Sequence, residues 1–139
     1  MNRQDLQQLA DIRKNEVKVL LDNHQYSGAY YLSGYIVECA LKACIAKQIQ
    51  QYDFPDKKTV LDSYSHDLVK LVRVARLDAQ LNEKIDNDEN NYFTRYWSIV
   101  KDWTEESRYK QHTEQEASEI YQAITDPDHG VLKWLRQHY

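Results

Sequence analysis

Residues Tyr26–Gln51, YSGAYYLSGYIVECALKACIAKQIQQ, decide the fold. On a helical wheel Ala29, Tyr30, Ser33, Ile36, Val37, Ala40, Leu41, Ala43 and Cys44 cover close to half the circumference, wider than a surface helix needs. A helix apolar over so wide an arc belongs at the centre of a helical assembly. Its other side carries Tyr31, Tyr35, Glu38 and Lys42, spaced three and four residues apart and therefore aligned in one strip. That polar-tipped strip on a central helix is the first place to look for a site.

Outward from this stretch, Asn2 or Asp5 caps a first helix running to about residue 23, with Leu6, Leu9, Ala10, Val17, Leu20, Leu21 and His24 on one face. Asn23, His24 and Gln25 make the turn, so the first two helices lie antiparallel. Arg13 falls inside the apolar stripe of the first, where a cation needs a partner, the alternative being that its long side chain reaches out to the surface. Glu38 is the expected acid, with Arg13 or Arg108 preferred over its own i+4 neighbour Lys42 because a guanidinium matches a carboxylate in two hydrogen bonds.

Beyond the central stretch, Pro55 ends helical structure, and residues 53–65 read as an exposed excursion with at most a short helical turn. Ser65-His66-Asp67-Leu68 opens a third helix with Leu68, Leu71, Val72 and Ala75 inward. His66 reads as a first-turn residue satisfying local backbone groups, with a catalytic role as the alternative. Asp78 caps a short helix, and an aromatic-rich helix follows over residues 90–103, carrying Tyr92, Tyr96, Val100 and Trp103 on one stripe and Phe93, Trp97 and Ile99 beside it. Residues 104–112, TEESRYKQH, form a polar connection, and Thr113 with Glu116 makes a capping box for the next helix. Asp126-Pro127-Asp128 interrupts that helix before Val131, Leu132, Trp134 and Leu135 return to the core. His129 with Asp126 and Asp128 superficially resembles a metal cluster, but DPDHG reads better as a capped turn.

The length of 139 residues suits one domain spanning the whole chain, and three Gly and two Pro favour helices over a turn-rich β protein. The expected fold is all-α, an up-and-down bundle of about five helices. A net charge of −4 argues against a broad basic face for nucleic acid, so any RNA contact would be local. No apolar run approaches the roughly 20 residues that span a bilayer, and Met1 to Ala10 lacks a signal-peptide layout, so no membrane association and a cytoplasmic location are expected. Cys39 and Cys44, five apart on one helix, are too far apart to bridge and read as small core residues. Phosphate loops, dinucleotide fingerprints and common zinc motifs do not occur, so neither a cofactor nor a metal is expected. Eleven Tyr and three Trp are more aromatic surface than a small bundle encloses, which predicts a homodimer or a partner chain, through Tyr31, Tyr35, Trp97 and Tyr109, the alternative being that these rings lie over charged side chains of the same subunit.

Four blocks in order, GAYYLSGYIVECALKACIAK, SHDLVKL, YWSIVKDWTEESRY and DPDHGVLKWL, resemble the HEPN family of small helical domains. The resemblance implies a helical bundle that often dimerises and in prokaryotes is frequently encoded beside a small nucleotidyltransferase, as a toxin and antitoxin pair. It also implies metal-independent RNA cleavage in many members, by an Arg and a His with four to six residues between them near the start of a late helix. Arg108 and His112 lie in the right region, but only three residues separate them where the family motif has at least four. Glu114 stands where silenced toxins of the family carry a modifiable Tyr. The expectation is therefore a non-catalytic module that binds a protein partner or a nucleotide, with Arg108 pairing a phosphate and Tyr109 offering a ring for stacking. An endoribonuclease using Arg108 and His112 is the first alternative, and a self-assembling helical protein the second.

Overall fold

The computed structural model describes residues 1–139 except Asp53, and the backbone alone of Gln50, Gln51 and Tyr52. The regular structure of the described residues is all helical, with α1 (Arg3–Asp22), α2 (Tyr26–Tyr52), α3 (Lys57–Asp62), α4 (Leu68–Val74), α5 (Asp78–Asp86), α6 (Tyr92–Val100), a 3-10 helix (Glu105–Tyr109), α7 (Glu114–Thr125) and α8 (Val131–Arg136). The chain is an all-α bundle with more and shorter helices than the five expected. α3 and the 3-10 helix fall in segments read as excursion and connection, and Asp56 starts α3 by accepting the Thr59 N–H; Asp67 starts the expected α4 by accepting from the Lys70 N–H.

The bundle is arranged around α2, which touches α1, α4, α7, α8 and the 3-10 helix. Ala29, Ser33, Ile36, Val37, Ala40, Leu41, Ala43 and Cys44 are buried as their arc predicts, and Gly34, Glu38 and Ile45 extend the buried surface. The Ser33 hydroxyl donates to the Ala29 carbonyl at 2.7 Å, which satisfies a polar group inside the core. Burial pushes the Cys44 thiol up to about 12 and raises that of Cys39, in keeping with core thiols.

α1 begins with a capping box in which Asn2 and Asp5 each accept the other's backbone N–H. It buries Ala10 and Val17 and ends in a tight turn where His24 takes a left-handed conformation, φ 60°. His24 is consequently exposed rather than on the apolar face. The aromatic helix stops at Val100, so Trp103 lies beyond it, yet Trp103 is 2% exposed against α2. Phe93 and Trp97 are the rings α6 buries, while Tyr92 points outward. Thr113 and Glu116 form the expected capping box of α7.

Two glycines permit close approaches. A Cβ on Gly34 would lie 2.0 Å from the Trp103 ring, and one on Gly130 would lie 2.6 Å from the Asp126 and Ile124 carbonyls. At the second position the DPDHG segment folds as a capped turn, Asp126 Oδ1 accepting the N–H groups of Asp128 and His129.

Candidate functional site

The strip along α2 is where side chains from three other segments converge. The Tyr31 and Tyr35 hydroxyls are 3.2 Å apart, and burial followed by this hydrogen bond pushes the Tyr35 phenol up. Two turns later Glu38, only 4% exposed, accepts from Lys42 Nζ at 2.8 Å. Its carboxylate also accepts from His66 Nδ1, at 3.1 and 3.0 Å to its two oxygens. Trp103 closes the strip from above, donating its indole N–H to the Tyr31 carbonyl at 3.2 Å and meeting the Tyr35 ring edge-on at 5.2 Å.

His66 reaches α2 because of the turn it occupies. Ser65 accepts the Asp67 N–H and Asp67 caps α4, whose Leu68, Leu71 and Val72 are buried against the core. The imidazole is thereby fixed facing Glu38, and its second nitrogen, Nε2, lies 3.2 Å from Glu105 on the 3-10 helix. One ring links α2, the start of α4 and the 3-10 helix, and it donates to both carboxylates only with a proton on each nitrogen. Its role is therefore long-range rather than the local backbone satisfaction read from the sequence. The only prior signal was a His at a helix start whose apolar stripe had to face α2.

His66 and Glu105 stand in the wall of a cleft of about 610 Å³, whose lining includes Asp67, Arg73, Lys101, Asp102, Trp103 and Glu106. Most of these charges have internal work. Asp67 caps α4, Glu105 meets His66, and Lys101 lies 3.8 Å from Asp102, leaving Arg73 and Glu106 of opposite sign. The lining carries four carboxylates against Arg73, Lys101 and the His66 ring, so it is net acidic and disfavours a polyanionic strand.

The expected cation for Glu38 requires correction. Arg13 pairs with Glu16 at 2.6 Å on the α1 surface, and Arg108 is exposed with its guanidinium 4.9 Å from the centre of the Tyr109 ring. The phenols of Tyr109 and then Tyr31 hold Arg108 above its usual value. Lys42 is the partner instead, because one helical turn places its amine over Glu38 without any adjustment between helices. Glu38 remains an organising group, with Lys42 and His66 in place of an arginine.

Arg108 and His112 face different surroundings. The His112 ring stacks on Tyr30 at 3.7 Å with 14° between planes, its Nδ1 lies 3.2 Å from Glu116, and its backbone N–H donates to Ser27. Its Nε2 is buried without a hydrogen-bond partner, which leaves Nδ1, engaged by Glu116, as the accessible nitrogen. A His112→Phe substitution keeps the stack and removes the unsatisfied nitrogen. The lost Glu116 contact is half exposed and contributes little. Urea unfolding is therefore expected to place this variant within about 1 kcal/mol of wild type. A loss of several kcal/mol would show that Nε2 has a partner after all.

Tyr109 is 79% exposed, while Trp97, expected at an intermolecular contact, is 6% exposed and belongs to the core. Among the described residues no three His, Cys, Asp or Glu side chains are grouped to hold a metal, and no helix is long and apolar enough to cross a membrane. Comparison of the chain with protein-family models, curated proteins and solved structures finds no match.

Proposed function

We propose that this chain is a non-catalytic helical binding module of the HEPN kind that takes a mononucleotide in the cleft beside His66. The observation that carries the reading is the convergence on His66, which joins the buried Glu38 of α2 to Glu105 at the wall of that cleft. A volume of about 610 Å³ lies within the usual range of small-molecule sites. His66, Arg73 and Lys101 supply donors for one phosphate, while Arg108 and Tyr109, outside the cleft lining but on the 3-10 helix that contributes Glu105, offer a second cation and a ring to a ligand that extends beyond the cleft. Against cleavage by Arg108 and His112 stands the His112 ring itself, stacked on Tyr30 with its Nε2 buried.

Calorimetric titration with AMP, ATP and a short mixed-sequence RNA tests this. AMP or ATP is expected to bind, His66→Ala to lose most of that binding, and His112→Phe to retain it. RNA incubated without metal is expected to stay intact. Cleavage by wild type that Arg108→Ala and His112→Ala both abolish would put the ribonuclease reading first. If no nucleotide binds and a neighbouring nucleotidyltransferase co-purifies instead, the module recognises a protein. Pairing with a second copy belongs to the same reading, and light scattering that returns only a 16.6 kDa species at micromolar concentration would count against it.

A further inference from the structure

The resting state of the cleft already contains an anion at its most ordered donor. His66 Nδ1 is held by both oxygens of Glu38, whose side chain is 6% exposed, so the ring cannot rotate without breaking a buried contact. Nε2 is consequently aimed at one place, and the group there is the Glu105 carboxylate at 3.2 Å. The two halves of this bridge differ in depth. Glu38 is enclosed and shared with Lys42, whereas the Glu105 side chain is 38% exposed on a five-residue 3-10 helix with no side-chain hydrogen bond at its cap. A carboxylate in that position is easily withdrawn, while the one behind the ring is not.

We propose that Glu105 is a built-in competitor for the ligand's anionic group, so that a phosphoryl oxygen enters the cleft by replacing the Glu105 carboxylate at His66 Nε2. Arg73 and Lys101 line the same cleft and offer the incoming group its cations, against Asp67, Asp102 and Glu106, which make the exchange selective for a ligand of low charge. The exchange is one charge-assisted hydrogen bond for another, so its net gain is small and the site discriminates by what else the ligand brings. The proposal deepens the nucleotide reading above and rests on it for the identity of the ligand, but not for the presence of an anion.

Glu105→Gln tests the exchange, since it keeps size and removes the competing charge. The probes are inorganic phosphate, AMP and adenosine, each followed by the ring nitrogen signals of His66 in proton–nitrogen NMR spectra and by Trp103 fluorescence. Phosphate and AMP are expected to bind Glu105→Gln about tenfold more tightly than wild type, the scale of one hydrogen bond to a charged group. Adenosine is expected to be indifferent to the change, and His66→Gln placed on top of Glu105→Gln to abolish the gain. AMP bound equally by wild type and Glu105→Gln overturns the competitor role and leaves the nucleotide reading standing. A gain for phosphate with no preference for AMP over phosphate keeps the competitor role and overturns the nucleotide reading. No response of the His66 ring to phosphate or AMP in either protein overturns the inference outright.

Discussion

Gly34→Ala is expected to destabilise the protein by about 3 kcal/mol, although alanine is intrinsically the better helix former. At an unobstructed helix position the change would stabilise by up to about 1 kcal/mol. Here the added methyl would sit 2.0 Å from the Trp103 ring, and two adjoining ring carbons are equally close. The indole cannot slide aside without breaking its bond to the Tyr31 carbonyl and its contact with Tyr35. Either α2 shifts as a unit or Trp103 leaves its place, and losing a buried Trp costs on the order of 3–5 kcal/mol by itself. Thermal unfolding should therefore fall on the order of 10 °C for a chain of this size. In a Trp103→Leu background the penalty should largely vanish, because the methyl then enters space the smaller side chain leaves. A Gly34→Ala variant that is more stable than wild type would show that α2 and Trp103 do not meet as described.

The same pair illustrates what the sequence disclosed. The arc from Ala29 to Cys44 identified the central helix because nearly every small and apolar side chain on it had to be buried, whatever the partner. Gly34 is uninformative on a wheel, and its importance appears only when Trp103, 69 positions later, arrives above it. The polar segment 104–112 read as a connection because a 3-10 helix this short carries no apolar stripe, and Ser107 is its only buried residue. His112 looked available because it precedes the Thr113 cap, but nothing local announces the stack on Tyr30, 82 positions earlier. In each case the missing information was a contact distant in sequence, which periodicity cannot supply. Glu38 falls between these cases. Its place on the strip suggested an organising acid, while the choice among Arg13, Arg108 and Lys42 depended on helix rotations that a wheel does not fix.

Glu38→Ala is the second large effect expected, at about 2–4 kcal/mol of stability lost. The carboxylate is 4% exposed and accepts from both Lys42 and His66, so its removal leaves two donors unmatched and a small void on α2. The loss should fall short of that for a fully enclosed ion pair, because the Lys42 and His66 side chains are 22% and 40% exposed and can turn toward water. Glu38→Gln keeps the volume and one acceptor, so about half the penalty should return. Replacing Glu38 and Lys42 together by Leu and Met should also recover part of it, since a buried pair exchanged for apolar side chains of similar size is often tolerated. A double-mutant cycle with His66→Ala should give a coupling of at least about 1 kcal/mol, the range for residues in direct contact. Arg13→Ala serves as the comparison. That guanidinium pairs with Glu16 at a partly solvated position, so its removal should cost no more than about 1 kcal/mol. Equal losses for Arg13→Ala and Glu38→Ala, measured by urea unfolding, would mean that the arginine rather than the Lys42 and His66 pair stabilises the buried acid. The convergence on His66, and the cleft function built on it, would then lose its anchor in α2.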